Sequence, residues 1–203
     1  MNEELIVVKD NQVINASYKL TLTEQRIILS CIAKIDSTAD LSTDEGFTIQ
    51  VDEIRDLVAQ GGRSGSFYEE VKRATDKLYE RSIYLDDKGS KRRWIYEVTY
   101  NETEGSLTLF FSPTIIPYLS QLKGNFTKYK LAYIANFRSS HAIRIYELLV
   151  QWSSKGEREL LIDELKTMLG LEGKYERVGN LIERVIKPAI SDINTHSNLT
   201  VKY

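Results

Sequence analysis

The residue types that most often carry catalysis are sparse in this sequence and form no familiar motif. The two histidines, His141 and His196, stand alone, so no His-x-His pair can hold the metal ion of a rolling-circle nickase. The sequence has neither a Cys-x-x-Cys zinc pair nor a Gly-x-x-x-x-Gly-Lys-Ser/Thr nucleotide loop. Twelve tyrosines leave a motif-free nuclease open, but none has a visible His and Arg constellation. We therefore expect a protein that is not an enzyme and has no metal or cofactor.

Basic residues are distributed unevenly along the chain. Residues 128–203 contain twelve Lys or Arg against nine Asp or Glu, whereas residues 1–127 contain fifteen against twenty. The second segment has a net charge of +3 and the first of −5, within a total of −2. This asymmetry favours an anionic partner for the second segment, although a difference of this size also arises by chance on solvated surfaces.

The composition is that of a folded protein outside the membrane. Hydrophobic residues make up 42% and charged residues 28% of the chain, which is enough to bury one or two ordinary cores. The apolar runs at 27–29 and 148–150 are far shorter than the roughly 20 residues that cross a bilayer. The first twenty residues lack the pattern of a signal peptide. We expect a cytoplasmic protein with no membrane partner, in which the single cysteine, Cys31, packs in the core.

Hydrophobic periodicity predicts the elements that would position the charged residues. Thr23 is the expected N-cap of the first helix, and Gly61 and Gly62 are expected to end the second. The predicted order is a helix at 22–35, a strand at 47–51, a helix from about 52, a helix at 66–80, and strands at 83–85, 93–100 and 107–111.

The same order of signals returns in the second half of the chain. The apolar helix positions 28, 31, 32 and 35 recur at 145, 148, 149 and 152, an offset of 117. The segment VDEI at 51–54 recurs as IDEL at 162–165, and YEEV at 68–71 recurs as YERV at 175–178. The offset shrinks to 111 and then 107, as shorter loops would produce. We infer two units related by internal duplication, residues 1–127 and residues 128–203.

The joining segment and the end of the chain differ from this repeat. Residues 112–130 are expected to form a short connecting helix that Pro113 begins. After its third helix the second unit has one predicted strand, 199–203, with no partner strand. Its wing is therefore incomplete, because the chain is shortened or because the remainder lies outside this sequence.

Helix, turn and helix followed by a twisted hairpin is the layout of a winged-helix domain. The predicted fold class is α+β, with two tandem winged-helix domains related by internal duplication, the second lacking a complete wing. In such a domain the last helix enters the major groove of DNA and the wing contacts the backbone. The repeat therefore predicts which residues face double-stranded DNA.

In the second unit the last helix is predicted to open at Lys174 and to present a polar face to DNA. Arg and Lys bind guanine edges or phosphate, and Asn pairs with adenine. The alternative is an ordinary solvated face, with Val178, Leu181 and Ile182 turned inward. Pro188 must kink this helix or mark a junction. The expected DNA-binding residues of the second unit are Lys174, Tyr175, Arg177, Asn180, Arg184 and Lys187.

In the first unit the basic residues are mixed with acidic ones. Glu69, Glu70 and Asp76 dilute the positive charge of the last helix, so phosphate positioning is expected there rather than base reading. The hairpin that follows carries four cations within six residues, which fits a wing tip on phosphate and equally a solvated turn. The expected contacts are Arg63 in the turn, Lys72, Arg73 and Lys77 on the helix, and Lys88, Lys91, Arg92 and Arg93 in the hairpin.

Several segments, in order and at matching spacing, resemble the iteron-binding plasmid replication initiators. The opening is carried by VKDN at 8–11, NASY at 15–18 and LTEQR at 22–26. The more specific match is FTKY at 126–129 followed by SSHAIRIYELL at 139–149. Segments NLI, VIKPAI and IN between 180 and 194 resemble the second recognition-helix region. The resemblance covers essentially the whole chain.

This resemblance implies a function that the spacing alone does not. Such initiators bind repeated origin sites, called iterons, as monomers through both domains, help to open an adjacent A+T-rich region and recruit host replication proteins. As dimers they commonly repress their own gene. The first domain usually supplies the dimer interface, which implicates the strand with Leu107, Leu109 and Phe111, although that strand could equally be plain core. The missing second wing and basic tail depart from the family pattern and put full origin affinity in doubt.

Two functions of other kinds remain open from the sequence. One is a winged-helix transcriptional repressor. The other is an interaction module whose winged helices serve dimerisation or partner binding, without replication activity. Binding of the chain to DNA, measured beside its association state, separates these alternatives from an initiator.

Overall fold

The computed structural model describes residues 5–56, 67–85 and 89–203. Within those ranges no helix is long and apolar enough to cross a bilayer. The elements, in chain order, are β1 (Ile6–Asp10), α1 (Asn11–Asn15), β2 (Ser17–Tyr18), α2 (Leu22–Ile32), β3 (Gly46–Gln50), α3 (Val51–Asp56), α4 (Phe67–Glu80), β4 (Ser82–Tyr84), β5 (Lys91–Arg93), β6 (Ile95–Asn101), β7 (Ser106–Phe111), β8 (Phe126–Lys130), α5 (Ser140–Val150), α6 (Ile162–Met168), α7 (Val178–Leu181) and α8 (Lys187–His196).

Helix α2 is the central helix of the first unit and begins at a capping box. The Thr21 hydroxyl accepts a hydrogen bond from the N–H of Glu24, and the Glu24 carboxylate accepts one from the N–H of Thr21. The predicted N-cap, Thr23, is wrong, because Thr21 and Glu24 have the spacing at which both orphan donors are satisfied. Cys31 on this helix is fully buried, as predicted.

Strand β7 is the central strand of a three-stranded sheet, in the order β3-β7-β6, that packs on the core of the first unit. Strand β7 pairs antiparallel with both neighbours, and its side chains alternate between the core and the outer face. Leu107, Leu109 and Phe111 are at most 1% exposed. The implied dimer contact through these three side chains is therefore wrong for this conformation, because they pack inside their own unit. Thr108 and Phe110 occupy the outer face.

The wing of the first unit is a different hairpin from the one predicted. In a winged helix the wing hairpin is completed by the strand that follows the first helix, which here is β3. Strand β3 pairs with β7, so the wing is the β6–β7 hairpin with its turn at 102–105. The basic hairpin of β4 and β5 pairs instead with β2, in a separate three-stranded sheet.

The segment between the units differs from the predicted connecting helix. A single 3₁₀ turn, Ile116–Tyr118, replaces a helix that begins at Pro113. Pro117 in that turn lacks an N–H donor, which favours a short turn over continuation. The chain then enters β8, which pairs with β1 from the start of the chain. The predicted boundary between residues 127 and 128 lies within β8.

The second unit repeats the three-helix order with helices α5, α6 and α7–α8. Ser139 caps α5 by accepting a hydrogen bond from the N–H of Ala142. Helix α5 ends at Val150, so Trp152, which the repeat places at an apolar helix position, lies beyond the helix and is 43% exposed.

The last helix of the second unit is continuous from 178 to 196 through a π-helical turn at Ile182–Ile186. Pro188 follows that turn, and it removes a backbone donor and crowds the carbonyl of Arg184, so a widened turn accommodates it. The predicted irregularity at Pro188 is thereby confirmed. Leu181, Val185, Ala189 and Ile193 form the buried stripe of this helix.

Two details of this region differ from the sequence-based prediction. The helix begins at Val178 rather than Lys174, because Tyr175 has a left-handed φ of 53°, which no helix accepts. Val178, which the alternative of an ordinary solvated face turned inward, is 44% exposed. The strand predicted at 199–203 is not formed; instead the Asn194 amide bonds to both the N–H and the carbonyl of Val201.

Candidate nucleic-acid interface

The last helix of the second unit carries the predicted DNA-binding residues on one exposed face. Arg177 is its N-cap residue, and Asn180, Arg184 and Lys187 follow at spacings of three or four residues. This spacing places them on the side opposite the buried stripe. The carboxylate of Glu183 binds Lys187 and raises the pKa of its ammonium group. The face therefore presents one amide and two cations that form no ion pair with a described residue, the types that read base edges and bind phosphates.

Lys174 and Tyr175 lie in the turn before this helix rather than in its first turn. The Lys174 side chain is exposed, whereas Tyr175 is half-buried and packs against the core. The turn contains left-handed residues at Gly170, Gly173 and Tyr175. Because the chain curls tightly there, Lys174 lies beside the start of α5 rather than along the recognition helix.

Some of the predicted DNA-binding side chains on helix α4 already bind other groups of the protein. Lys72 binds Glu102 in the wing turn at 2.8 Å and lies over the Tyr100 ring. Arg73 and Lys77 are exposed and have no ion pair in the described part of the chain. Arg63 falls outside the described residues.

The basic hairpin is likewise partly engaged. Arg93 binds Glu80 at 3.0 Å, donates to the carbonyl of Tyr79 and lies over its ring. Lys91 is exposed and Arg92 half-buried. Lys88 falls outside the described residues. Exposed ion pairs of this kind contribute about 0–1 kcal/mol, so a phosphate can replace the carboxylate at small cost.

The two units are joined by a segment that we call the clasp, residues 14–19. Arg144 of α5 donates from Nη2 to the carbonyls of Ile14 and Ala16, both at 2.9 Å. The same nitrogen reaches the carbonyl of Met168 at the end of α6, at 3.3 Å. One buried guanidinium therefore holds the clasp and the second unit together.

Further contacts fix the clasp along its length. Arg158 donates to the side-chain oxygen of Asn15 at 2.9 Å, and the Ser17 hydroxyl donates to the carbonyl of Thr167 at 2.9 Å. Gly170 lies so close to the clasp backbone that a Cβ atom there would be 3.2 Å from the carbonyl oxygen of Tyr18. These contacts hold the clasp against α5 and the end of α6 in the second unit.

The clasp rests on a buried group of charges. Glu147 accepts hydrogen bonds from Lys9, from Arg144 at 3.0 Å and from the Tyr129 hydroxyl at 2.6 Å. Lys9, Arg144 and Glu147 are each at most 2% exposed. Burial by itself raises the pKa of Glu147, but the charges of Lys9 and Arg144 outweigh it and hold that pKa below its ordinary value.

Sequence reasoning did not single out Arg144, Glu147 or Arg158. Arg144 and Glu147 lie within the segment 139–149 that carried the family resemblance. The resemblance therefore pointed to these residues but did not show that they form a buried ion pair. Charged residues inside an apolar helix, at positions facing the core, indicate a buried network when a partner of opposite charge is three or four residues away. Among the described residues no cluster of three His, Cys, Asp or Glu could hold a metal ion.

Comparison with known proteins agrees with this architecture. The family model described as "Initiator Replication protein, WH1" matches residues 6–150, and the one described as "Initiator Rep protein, WH2" matches residues 161–203. The chain is similar to a crystal structure of the Pi initiator protein in complex with iteron DNA, with a TM-score of 0.81 at 22% identity, covering 99% of this chain and 90% of that one. The predicted α+β fold with two winged-helix domains is confirmed.

Curated relatives extend the comparison. A replication initiation protein of Escherichia coli is 32% identical over 97% of this chain, which spans 64% of that relative's length. An uncharacterised 27.6 kDa protein of Escherichia coli is 25% identical over the whole chain and 90% of its own length. The chain belongs to the family of initiator replication proteins with two winged-helix domains.

Proposed function

We propose that this protein initiates plasmid replication by binding repeated origin sites, and that it does so in the cytoplasm by binding rather than by catalysis. The observation that carries the proposal is the pair of winged-helix units, each with exposed cations on its recognition helix, in a chain of the initiator family. The related Pi initiator is solved with iteron DNA, which supports the same ligand for this chain.

The two units differ in the work that we assign to them. In the second unit Arg177, Asn180 and Arg184 read base edges, because that face carries an amide and cations that are not paired with any described carboxylate. In the first unit Lys72, Arg73 and Lys77 bind phosphates rather than base edges, because acidic neighbours reduce the positive charge of that helix. Of the hairpin residues, Lys91 binds phosphate most readily, because Arg93 is already held by Glu80.

A titration followed by fluorescence anisotropy tests sequence-specific binding. The probes are tandem repeats from the DNA flanking the coding region and a scrambled duplex of equal length and composition, at one salt concentration. We expect binding to the repeats at least about a thousandfold tighter than to the scrambled duplex. Equal affinity for both would contradict the proposal and favour an interaction module.

We further propose that the chain forms a homodimer that represses its own gene, and that as an initiator it recruits host replication proteins. The dimer surface that we propose is the outer face of the β3-β7-β6 sheet. Tyr96 and Phe110 lie side by side there, with ring centroids 6.1 Å apart, and Tyr96 is 37% exposed. This face replaces the inward side of β7 that the sequence implicated.

Sedimentation of the Phe110→Lys variant tests the dimer. Leu161→Lys serves as the control, because Leu161 is 70% exposed and lies in the second unit, outside that sheet. We expect Phe110→Lys to sediment as a monomer while Leu161→Lys and the original chain form dimers. Dimers that persist in Phe110→Lys would place the interface elsewhere.

A further inference from the structure

A pocket between the two units is lined by basic side chains, none of which belongs to α4 or to the helix from 178 to 196. It has a volume of about 210 Å³ and lies where the clasp, the start of α2, the end of α4 and the start of α5 meet the turn after α6. Its cations come from four separate parts of the chain: Lys19, Arg81, Arg144 and Lys174. No Asp or Glu is among the residues that line it, as far as the structure describes the chain.

The charge of this pocket is only partly balanced from behind. Glu24, fully buried below it, binds Arg81 at 2.9 Å, and Glu147 binds Arg144. Lys19 and Lys174 are exposed and have no ion pair within the described ranges. Two positive charges therefore face the pocket without a carboxylate partner.

Helix α5 points its N-terminus at the same place. Ser139 satisfies the N–H of Ala142, and the N–H groups of Ser140 and His141 in the first turn have no partner within the helix. Both residues line the pocket. The partial positive charge of an eleven-residue helix adds to that of the lysines.

Polar side chains besides the cations also line the pocket, among them Gln25 and His141. Gln25 is 3% exposed and lines the pocket, and its Oε1 has no hydrogen-bond partner among the described residues. Rotation of this amide about its last bond would present its N–H₂ instead. The imidazole of His141 also lines the pocket, and burial together with the charges of Lys174 and Lys19 lowers its pKa.

We infer that this junction pocket is a binding site for a phosphate group, held by Lys19, Lys174, His141 and the N-terminus of α5. The inference rests on the proposed function, in which the phosphate belongs to the DNA backbone between the two recognition helices. A free phosphate ion has the same chemistry. An occupied pocket would bind the first and second units to one phosphate, in addition to the clasp.

Two measurements on the full chain test this site. In the first, the pKa of His141 is followed by NMR, with the resonance assigned from His141→Gln, in the presence of inorganic phosphate or of the repeat duplex. A bound phosphate raises that pKa by about half a unit or more, because an anion favours the imidazolium. A rise with duplex alone assigns the phosphate to DNA, and a rise with inorganic phosphate shows a site open to the free ion. No rise with either would overturn the inference.

The second measurement is the salt dependence of repeat binding by Lys19→Gln, compared with the matched control Lys123→Gln. Lys123 is also exposed and is not among the residues that line the pocket. We expect the slope of log K against log salt to fall by about 1 for Lys19→Gln and to stay unchanged for the control. Equal slopes would overturn a DNA phosphate at this site. Failure of the original chain to distinguish repeats from scrambled DNA would contradict the proposed function instead, while the phosphate titration would still test the pocket.

Discussion

At the scale of single residues, the structure separates side chains that can meet DNA from those that hold the protein together. Arg177 and Arg184 are exposed and form no ion pair with a described residue. Arg144 is buried, and its guanidinium donates hydrogen bonds to backbone carbonyls and to a carboxylate. In the sequence all three are arginines in the net basic segment 128–203, and nothing there distinguishes their roles. Their roles follow from burial, which depends on the partners that folding brings near.

Arg177→Ala is expected to relax sequence discrimination. If Arg177 reads a base, its loss should cost about 1–3 kcal/mol on the cognate repeat and little on scrambled DNA, because a bidentate contact to a base edge is lost. The measurement is anisotropy with both duplexes, and Lys91→Ala is the matched control, for which a reduced salt slope is expected on both. An equal loss on both duplexes for Arg177→Ala would make it a phosphate contact.

Glu147→Gln is expected to destabilise the fold by about 3–5 kcal/mol, because it leaves the charges of Lys9 and Arg144 buried without a carboxylate. Urea denaturation measures this, with the exposed Glu157→Gln as control.

The pH dependence of stability follows from the same carboxylate. Its pKa in the folded state is lowered below the unfolded value of about 4.3, so its contribution is present above that pH and is lost as pH falls through the folded pKa. The Gln variant should lack this part of the acid destabilisation. An unchanged acid profile would show that Glu147 does not carry it.

At the scale of elements, periodicity predicted the helices well and their ends poorly. Helix α4 was predicted at 66–80 and is described from Phe67 to Glu80, because its apolar positions recur at helical spacing over four turns. The start of the last helix was misplaced by four residues, since the left-handed φ at Tyr175 depends on packing of the turn. The pairing of the strands could not be predicted from the sequence either. The three predicted strands at 83–85, 93–100 and 107–111 have similar patterns, so more than one pair of them could form the wing hairpin.

Gly170→Ala is expected to weaken the junction between the units more than Gly173→Ala does. Both glycines have left-handed φ, 64° and 69°, so each substitution costs about 1 kcal/mol or more of backbone strain. A methyl group at 170 would also press on the clasp at 3.1–3.2 Å, whereas nothing lies within 4 Å at 173. Thermal unfolding measures both, and each kcal/mol lowers Tm by about 2–4 °C. An equal drop in Tm for the two variants would show that the clasp accommodates the methyl group at 170 without loss of stability.

At the scale of the whole molecule, the clasp makes the two winged helices one unit of fixed geometry. Arg144 and Arg158 of the second unit hold residues 14–16 of the first, and strand β1 pairs with β8 across the chain. Under the proposed function, we expect such a protein to match a DNA site at one spacing and one rotational phase. The duplication was predictable from residue spacing, but this coupling was not, because it joins residues about 130 positions apart.

A double variant, Asn15→Ala with Arg158→Ala, is expected to tolerate altered sites that the original chain rejects. Inserting one base pair in the middle of a repeat rotates one half relative to the other by about 35°. The original chain should lose most of its affinity for such a site, measured by anisotropy, and the double variant should lose less. Each chain's affinity for an intact repeat is the reference. An identical penalty for both chains would show that these two side chains do not set the orientation.

We propose that both winged-helix units bind one repeat, the second reading sequence and the first holding phosphates. Hydroxyl-radical footprinting of the full chain on a single repeat tests this arrangement. We expect two protected segments on one face of the duplex, about one helical turn of 10–10.5 base pairs apart, and none on scrambled DNA. A single protected segment, or equal protection of scrambled DNA, would contradict it.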